Sequence, residues 1–159
     1  MTLCIGIDPG TATTGYGLVR LEADGLLTAV AFGTFLTSKV STSQARLSQL
    51  YDQLQDVLRK YKPETSAVEK LFFQKNTATA MAVGQARGVV LLALHKSGID
   101  ISEYTPNEVK LAVASYGSAD KHQVQEMVRV LLRLDAVPKP DDAADALAIA
   151  ITHLHTHRY

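Results

Sequence analysis

The sequence predicts an α/β fold of three layers, a five-stranded mixed sheet with helices on both faces. An apolar strand opens the chain, two more strand patterns follow across short turns, and helical and strand patterns then alternate before the chain ends in helices. Leu3 to Ile7 is a continuous apolar run that stops at Asp8-Pro9-Gly10, as a strand buried on both faces does. Tyr16 to Leu21 and Leu27 to Leu36 flank the turn signal Ala23-Asp24-Gly25, so the first three strands read as an antiparallel meander. From Ser43 to Tyr61, apolar Leu47, Leu50, Leu54, Val57, Leu58 and Tyr61 recur at three and four residues, and Pro63 follows as a stop; this is an amphipathic helix. Ser66 to Leu71 reads as the fourth strand, Thr77 to Lys96 as a helix closed by Ser97-Gly98, and Ile101 to Tyr104 as the fifth strand. Helices are predicted over Pro106 to Ala114, Lys121 to Leu134 and Asp141 to about His155, with Pro138 and Pro140 before the last.

This order fits the ribonuclease H-like fold. At 159 residues, 47% apolar and 20% charged, the chain reads as one folded domain spanning 1–159, too apolar and too evenly charged for disorder. No apolar run approaches the length of a membrane span, and the first residues show no secretory signal, so a cytoplasmic protein with no membrane partner is expected. Cys4 stands alone, which rules out an internal disulfide and a cysteine zinc cluster. His153 and His157 are four apart, yet no third zinc ligand accompanies them. The chain has neither a GxxxxGK[ST] run nor a GxGxxG fingerprint, and it is too short for the two-domain actin-like ATPases whose first segment resembles Ile-Asp-Pro-Gly-Thr. Net charge is zero, but residues 70–133 carry eight basic side chains against five acidic, which allows a basic face for nucleic acid.

Four carboxylates carry the chemistry. Asp8 ends the most apolar strand, where an ionised group needs a partner, either a metal ion or the turn it would cap. Glu69 sits in Ala67-Val68-Glu69-Lys70-Leu71 with the same alternatives, a ligand or a solvent-facing edge glutamate. In Asp141-Asp142-Ala143-Ala144-Asp145, the third acid can share a helix face with either of the first two, and spacing does not choose between them. The macrodipole accounts for acids in the first turn; it does not account for Asp145, one turn further in among alanines and large apolar residues. Oxygen-only ligands suit Mg²⁺ or Mn²⁺, and a pair of such ions clamps the attacking and leaving oxygens of a phosphodiester.

The segments GIDPGTATTGYGLV (6–19), AVEKLFFQKN (67–76), GQARGVV (84–90), SADKHQVQEMV (118–128) and DDAADALAIAITH (141–153) resemble the RuvC-type Holliday junction resolvases over nearly the whole chain. The resemblance implies a metal-dependent endonuclease that resolves four-way DNA junctions by paired symmetric nicks in recombination and repair. It implies catalytic, metal-binding acids at Asp8, Glu69, Asp142 and Asp145, selecting Asp142 over Asp141, with two Mg²⁺ per subunit that Mn²⁺ can replace. It places a base-stacking wedge at Phe72, lysines near the scissile backbone at Lys110 and Lys121, and a branch-migration motor of the RuvA and RuvB type as partner. Lys70 stands where many relatives are expected to carry glutamine.

Lys75 and Arg87 are further candidates for phosphate contact. Ala80, Gly84 and Gly88 recur every four residues and form a smooth stripe, which serves internal packing or a second copy of the chain. Two cuts related by approximate two-fold symmetry favour a homodimer with this helix in or near the interface. A related nuclease acting on structured RNA would share the metal chemistry and differ in recognising the 2′-OH. A junction-binding module with vestigial acids would bind without nicking.

Overall fold

The structure, a computed structural model, describes residues 1–10, 12–70, 77–157 and 159, with the backbone alone at 77 and 78. The elements are β1 (Thr2–Asp8), β2 (Thr13–Leu21), β3 (Leu27–Leu36), α1 (Ser43–Tyr61), β4 (Thr65–Glu69), α2 (Thr77–Lys96), β5 (Asp100–Tyr104), α3 (Pro106–Ala114), α4 (Lys121–Leu131) and α5 (Asp141–Thr156). The sheet runs β3-β2-β1-β4-β5. The first three strands form the antiparallel meander, whereas β4 lies parallel to β1 and β5 parallel to β4. This is the ribonuclease H-like architecture expected from the sequence, with β1 at its centre.

Local chemistry starts the helices where the patterns indicate. Thr42 Oγ1 accepts the Ala45 N–H before α1, and Thr105 Oγ1 accepts the Glu108 N–H ahead of Pro106 in α3. Asp120 and Gln123 close a reciprocal capping box that makes Lys121 the first residue of α4. No side chain caps α5, whose first turn instead presents Asp141 and Asp142 to the positive end of the dipole. Three boundaries differ from the sequence reading by two residues or more: β2 already begins at Thr13, β4 ends at Glu69, and α4 stops at Leu131 instead of continuing to Leu134, because the chain reverses through Arg133 at φ 54° and returns the Leu134 N–H to the Arg129 carbonyl. The buried Leu132 keeps the helical spacing past the true end.

Alternate residues of β1 divide the core. Leu3, Ile5 and Ile7 pack with Leu18 and Val68 against α1 and α2, while Cys4, Val19 and Ala67 pack against α3, α4 and α5. Burial in that strand raises the Cys4 thiol pKa, leaving a small inert apolar residue. Cross-strand partners Gly6 and Gly17, with Gly15 opposite Asp8, lie on the α5 side. A Cβ at Gly6 would lie 2.1 Å from the Ala146 carbonyl oxygen, and one at Gly17 would lie 2.7 Å from the Leu147 side chain. These bare positions let α5 sit directly on the sheet.

Farther along α5, His153 is 2% exposed and is the polar centre of the core. Its Nε2 is 2.9 Å from Thr65 Oγ1 and 2.6 Å from the Tyr159 hydroxyl, and its Nδ1 is 2.9 Å from the Tyr104 hydroxyl. Burial, then the neighbouring His157, push its pKa down to about 4, so the ring is neutral at pH 7.

Candidate metal centre

Three elements converge at the carboxyl end of β1. Asp8 is the last residue of that strand, two positions beyond Gly6 and therefore on the α5 face. Glu69 ends β4 one residue after the Ile7–Val68 pair, which sets it beside Asp8 on the same face. Because α5 rests on Gly15, the partner of Asp8, its first turn brings Asp142 over the strand end, and Asp145 follows on the same helix face. One carboxylate oxygen from each of Asp8, Asp142 and Asp145 lies within 4.8 Å of the others. Glu69, beside Asp8 on the neighbouring strand, adds its charge to the group.

Crowding has an electrostatic consequence. Burial, followed by the charges of Glu69, Asp145 and Asp142, pushes the Asp8 pKa up to about 9. Burial is also the first cause of the raised pKa values of Glu69 and Asp145. Asp8 is thus protonated at neutral pH in the metal-free chain. A cation placed among such crowded carboxylates would favour their ionised forms, and an oxygen-only donor set of this kind fits a hard divalent ion. The residues therefore fit a metal site.

Beside the acids opens a cleft of about 240 Å³, lined by the charged side chains of Glu69, Asp145, Lys110 and Lys121, with Pro106, Val109 and Val124 among its apolar lining. Lys121 Nζ stands 3.5 Å from Asp141 Oδ2 and 3.7 Å from Asp145 Oδ2. Those carboxylates, Asp145 foremost, raise its pKa and keep it charged. Half-exposed ion pairs of this kind are worth at most about 1 kcal/mol to the fold, so their main effect is to place charge. Asp141 is engaged with α4 rather than with Asp8: its Oδ1 accepts from Gln125 Nε2 at 3.1 Å. Spacing left Asp141 and Asp142 equivalent; the roll of α5 on the glycines separates them.

The remaining sequence candidates fall in different places. Arg87 is paired with Glu103 and donates from Nε to the Glu69 carbonyl at 3.4 Å, tying α2 to the end of β4. Its guanidinium is thus committed within the chain, a partnership between α2 and β5 that no local pattern reveals. Phe72 and Lys75 lie outside the described residues. On α2, Ala80 is 6% exposed and packs within the chain, so it is not available to a partner; Gly84 is half-buried and Gly88 is exposed, with nothing within 4 Å of where its Cβ would lie. The outward line on this helix also includes Met81 and Leu92, 68% and 53% exposed. Sequence reading passed over Gly6, Gly15 and Gly17, although glycines at alternate strand positions signal a close backbone approach. It also missed the Lys121–Asp141 contact, which joins two helices and has no spacing signature.

The family model described as crossover junction endodeoxyribonuclease RuvC matches residues 4–153. The crossover junction endodeoxyribonuclease RuvC of Syntrophomonas wolfei is 52% identical over 97% of this chain and 89% of its own length. That of Roseiflexus sp. (strain RS-1) is 54% identical over 97% of this chain and 91% of its own length. Among solved structures, Thermus thermophilus RuvC in complex with a Holliday junction substrate superposes with a TM-score of 0.93 at 35% identity, covering 98% of this chain and 94% of the other. The yeast mitochondrial Holliday junction resolvase shares the fold, with a TM-score of 0.72 at 14% identity over 96% of this chain and 77% of its own.

Proposed function

This chain belongs to the RuvC family of crossover junction endodeoxyribonucleases, and on that premise we propose that it resolves four-way DNA junctions by metal-dependent hydrolysis at the Asp8 cluster. The observation that carries the reading is the meeting of Asp8, Asp142 and Asp145 within 4.8 Å, with Glu69 beside Asp8 and with Lys110 and Lys121 lining the adjoining cleft.

Asp8, Glu69, Asp142 and Asp145 hold the cations, two Mg²⁺ per subunit with Mn²⁺ as a substitute. When bound, such ions supply a nucleophilic water of lowered pKa and charge stabilisation at the phosphoryl oxygens. Lys121 and Lys110 bind the phosphate in the cleft and orient it toward the acids, and the buried setting of Asp8 keeps bulk water from screening the charges there. The four acids lose their mutual repulsion once metal-bound, so the cation stabilises the site. Phe72 stacks on a base at the junction, and Lys75 contacts the backbone. Two protomers meeting along α2 at Gly84 and Gly88 present two such sites in a two-fold relation, which matches paired symmetric nicks. The whole chain acts as one nuclease domain in the cytoplasm, alongside a branch-migration motor of the RuvA and RuvB type.

The test is a nicking assay with Mg²⁺ or Mn²⁺ on labelled four-way junctions, linear duplex and structured RNA, comparing wild type with Asp8→Asn. Junction-selective nicks by wild type alone are expected. Equal cutting by both proteins refutes the assigned chemistry, preference for RNA supports an RNA nuclease, and junction binding without any nicking supports a binding module.

A further inference from the structure

Asp141 directly precedes one of the proposed metal ligands, yet its carboxylate serves α4. Gln125 Nε2 donates to its Oδ1 at 3.1 Å, and Lys139 Nζ stands 3.8 Å from the same oxygen. Gln125 is 8% exposed, so packing holds its amide in place. With Oδ1 pinned, Oδ2 faces Lys121 Nζ at 3.5 Å, and that ammonium is also 3.7 Å from Asp145 Oδ2. Lys121 is thus shared between two carboxylates, of which only Asp145 belongs to the acidic cluster. The capping box at Asp120 fixes the start of α4, so the lysine backbone cannot drift to favour one carboxylate over the other.

An ammonium on Asp145 competes with any cation for that carboxylate. We propose that Asp141 is a positioning residue: it draws Lys121 off Asp145, freeing that carboxylate for a cation while keeping the ammonium at the mouth of the cleft. The proposal rests on the metal-nuclease reading and adds a residue to it that acts only through Lys121.

The test is calorimetric titration of Mn²⁺ into the full chain without DNA, for wild type, Asp141→Asn, Lys121→Met and the double variant, each first shown by thermal melting to be folded. Asp141→Asn keeps the volume of the side chain and is expected to weaken Mn²⁺ binding by about threefold to tenfold, in the lower part of the range of coupling between residues in contact, because Lys121 then falls back on Asp145. In the Lys121→Met background the same substitution is expected to change nothing. Equal weakening in both backgrounds means that Asp141 acts on the cation by its own charge, and no weakening in either means that it serves only the start of the helix; each overturns the proposal. Asp141→Glu restores binding if a carboxylate at this position is what matters, and failure to restore it also counts against the proposal. Wild-type protein that binds no Mn²⁺ overturns the metal reading itself, and this proposal with it.

Discussion

A Cβ on Gly15 would stand 2.0 Å from the carbonyl oxygen of Asp142. No rotamer relieves that overlap, because both atoms belong to or adjoin the backbone. Gly15→Ala therefore has to lift the first turn of α5 from the sheet. Overpacking of this kind costs about 1 to 3 kcal/mol, less than the stability of a typical domain, so the variant is expected to fold. A displacement of about 1 Å at a reacting site can lower the rate a hundredfold. Junction cleavage by Gly15→Ala is expected to fall by about tenfold to a hundredfold while circular dichroism stays native. Wild-type cleavage rates would show that the helix does not need this contact.

Asp8 sets stability against activity. Its folded pKa of about 9 exceeds the ordinary 3.8, so the folded metal-free chain holds this proton more tightly than the unfolded chain does. The stabilisation is complete below about pH 4 and is lost as pH rises toward 9. Asp8→Asn, neutral throughout, is expected to melt several degrees above wild type in EDTA at pH 8, and with a smaller difference at pH 4. Mg²⁺ is expected to raise the wild-type midpoint and leave the variant nearly unmoved. Coincident melting curves in EDTA at pH 8 would contradict this account.

His153 gives the opposite slope. Its pKa of about 4 lies below the ordinary 6.5, so between those values the unfolded chain takes up a proton that the folded chain refuses. This contribution to stability is intact above pH 6.5 and is lost on acidification, with no further loss from this group below about pH 4. The total is at most about 3 kcal/mol. In His153→Gln the dependence over that interval is expected to flatten, whatever the substitution does to absolute stability, and urea titrations at pH 7, 5.5 and 4.5 measure it. An unchanged slope would assign the acid sensitivity to other groups.

The outward line of α2 provides the assembly test. Leu92 is 53% exposed in the isolated chain, so a charge there costs the protomer little. Leu92→Glu is expected to shift the mass measured by light scattering from dimer toward monomer. Junction cutting is expected to change from paired nicks to single ones. A variant that keeps both its dimer mass and its paired cutting would place the interface elsewhere.

Most of the fold was legible because its signals are local. The apolar run of β1, the turn at Asp24-Gly25 and the three-and-four spacing of α1 each report on a few neighbouring residues. The acids were legible for a related reason: Asp8 and Asp145 sit in surroundings too apolar for a solvated charge. Legibility ended where tertiary partners decide. Arg87 reads as a free cation until β5 supplies Glu103, and Ala80 belongs to an outward stripe until packing within the chain covers it. The end of α4 was misread because apolar Leu132 and Leu134 continue the helical rhythm across a reversal that depends on one residue, Arg133, with positive φ.

The cluster of acids draws on β1, β4 and α5, segments that meet only when the sheet is paired and the last helix is seated. A polypeptide still emerging from the ribosome, or one partly unravelled by heat, holds the same side chains dispersed and grips no cation. On the proposed reading, cutting power is thereby tied to correct architecture.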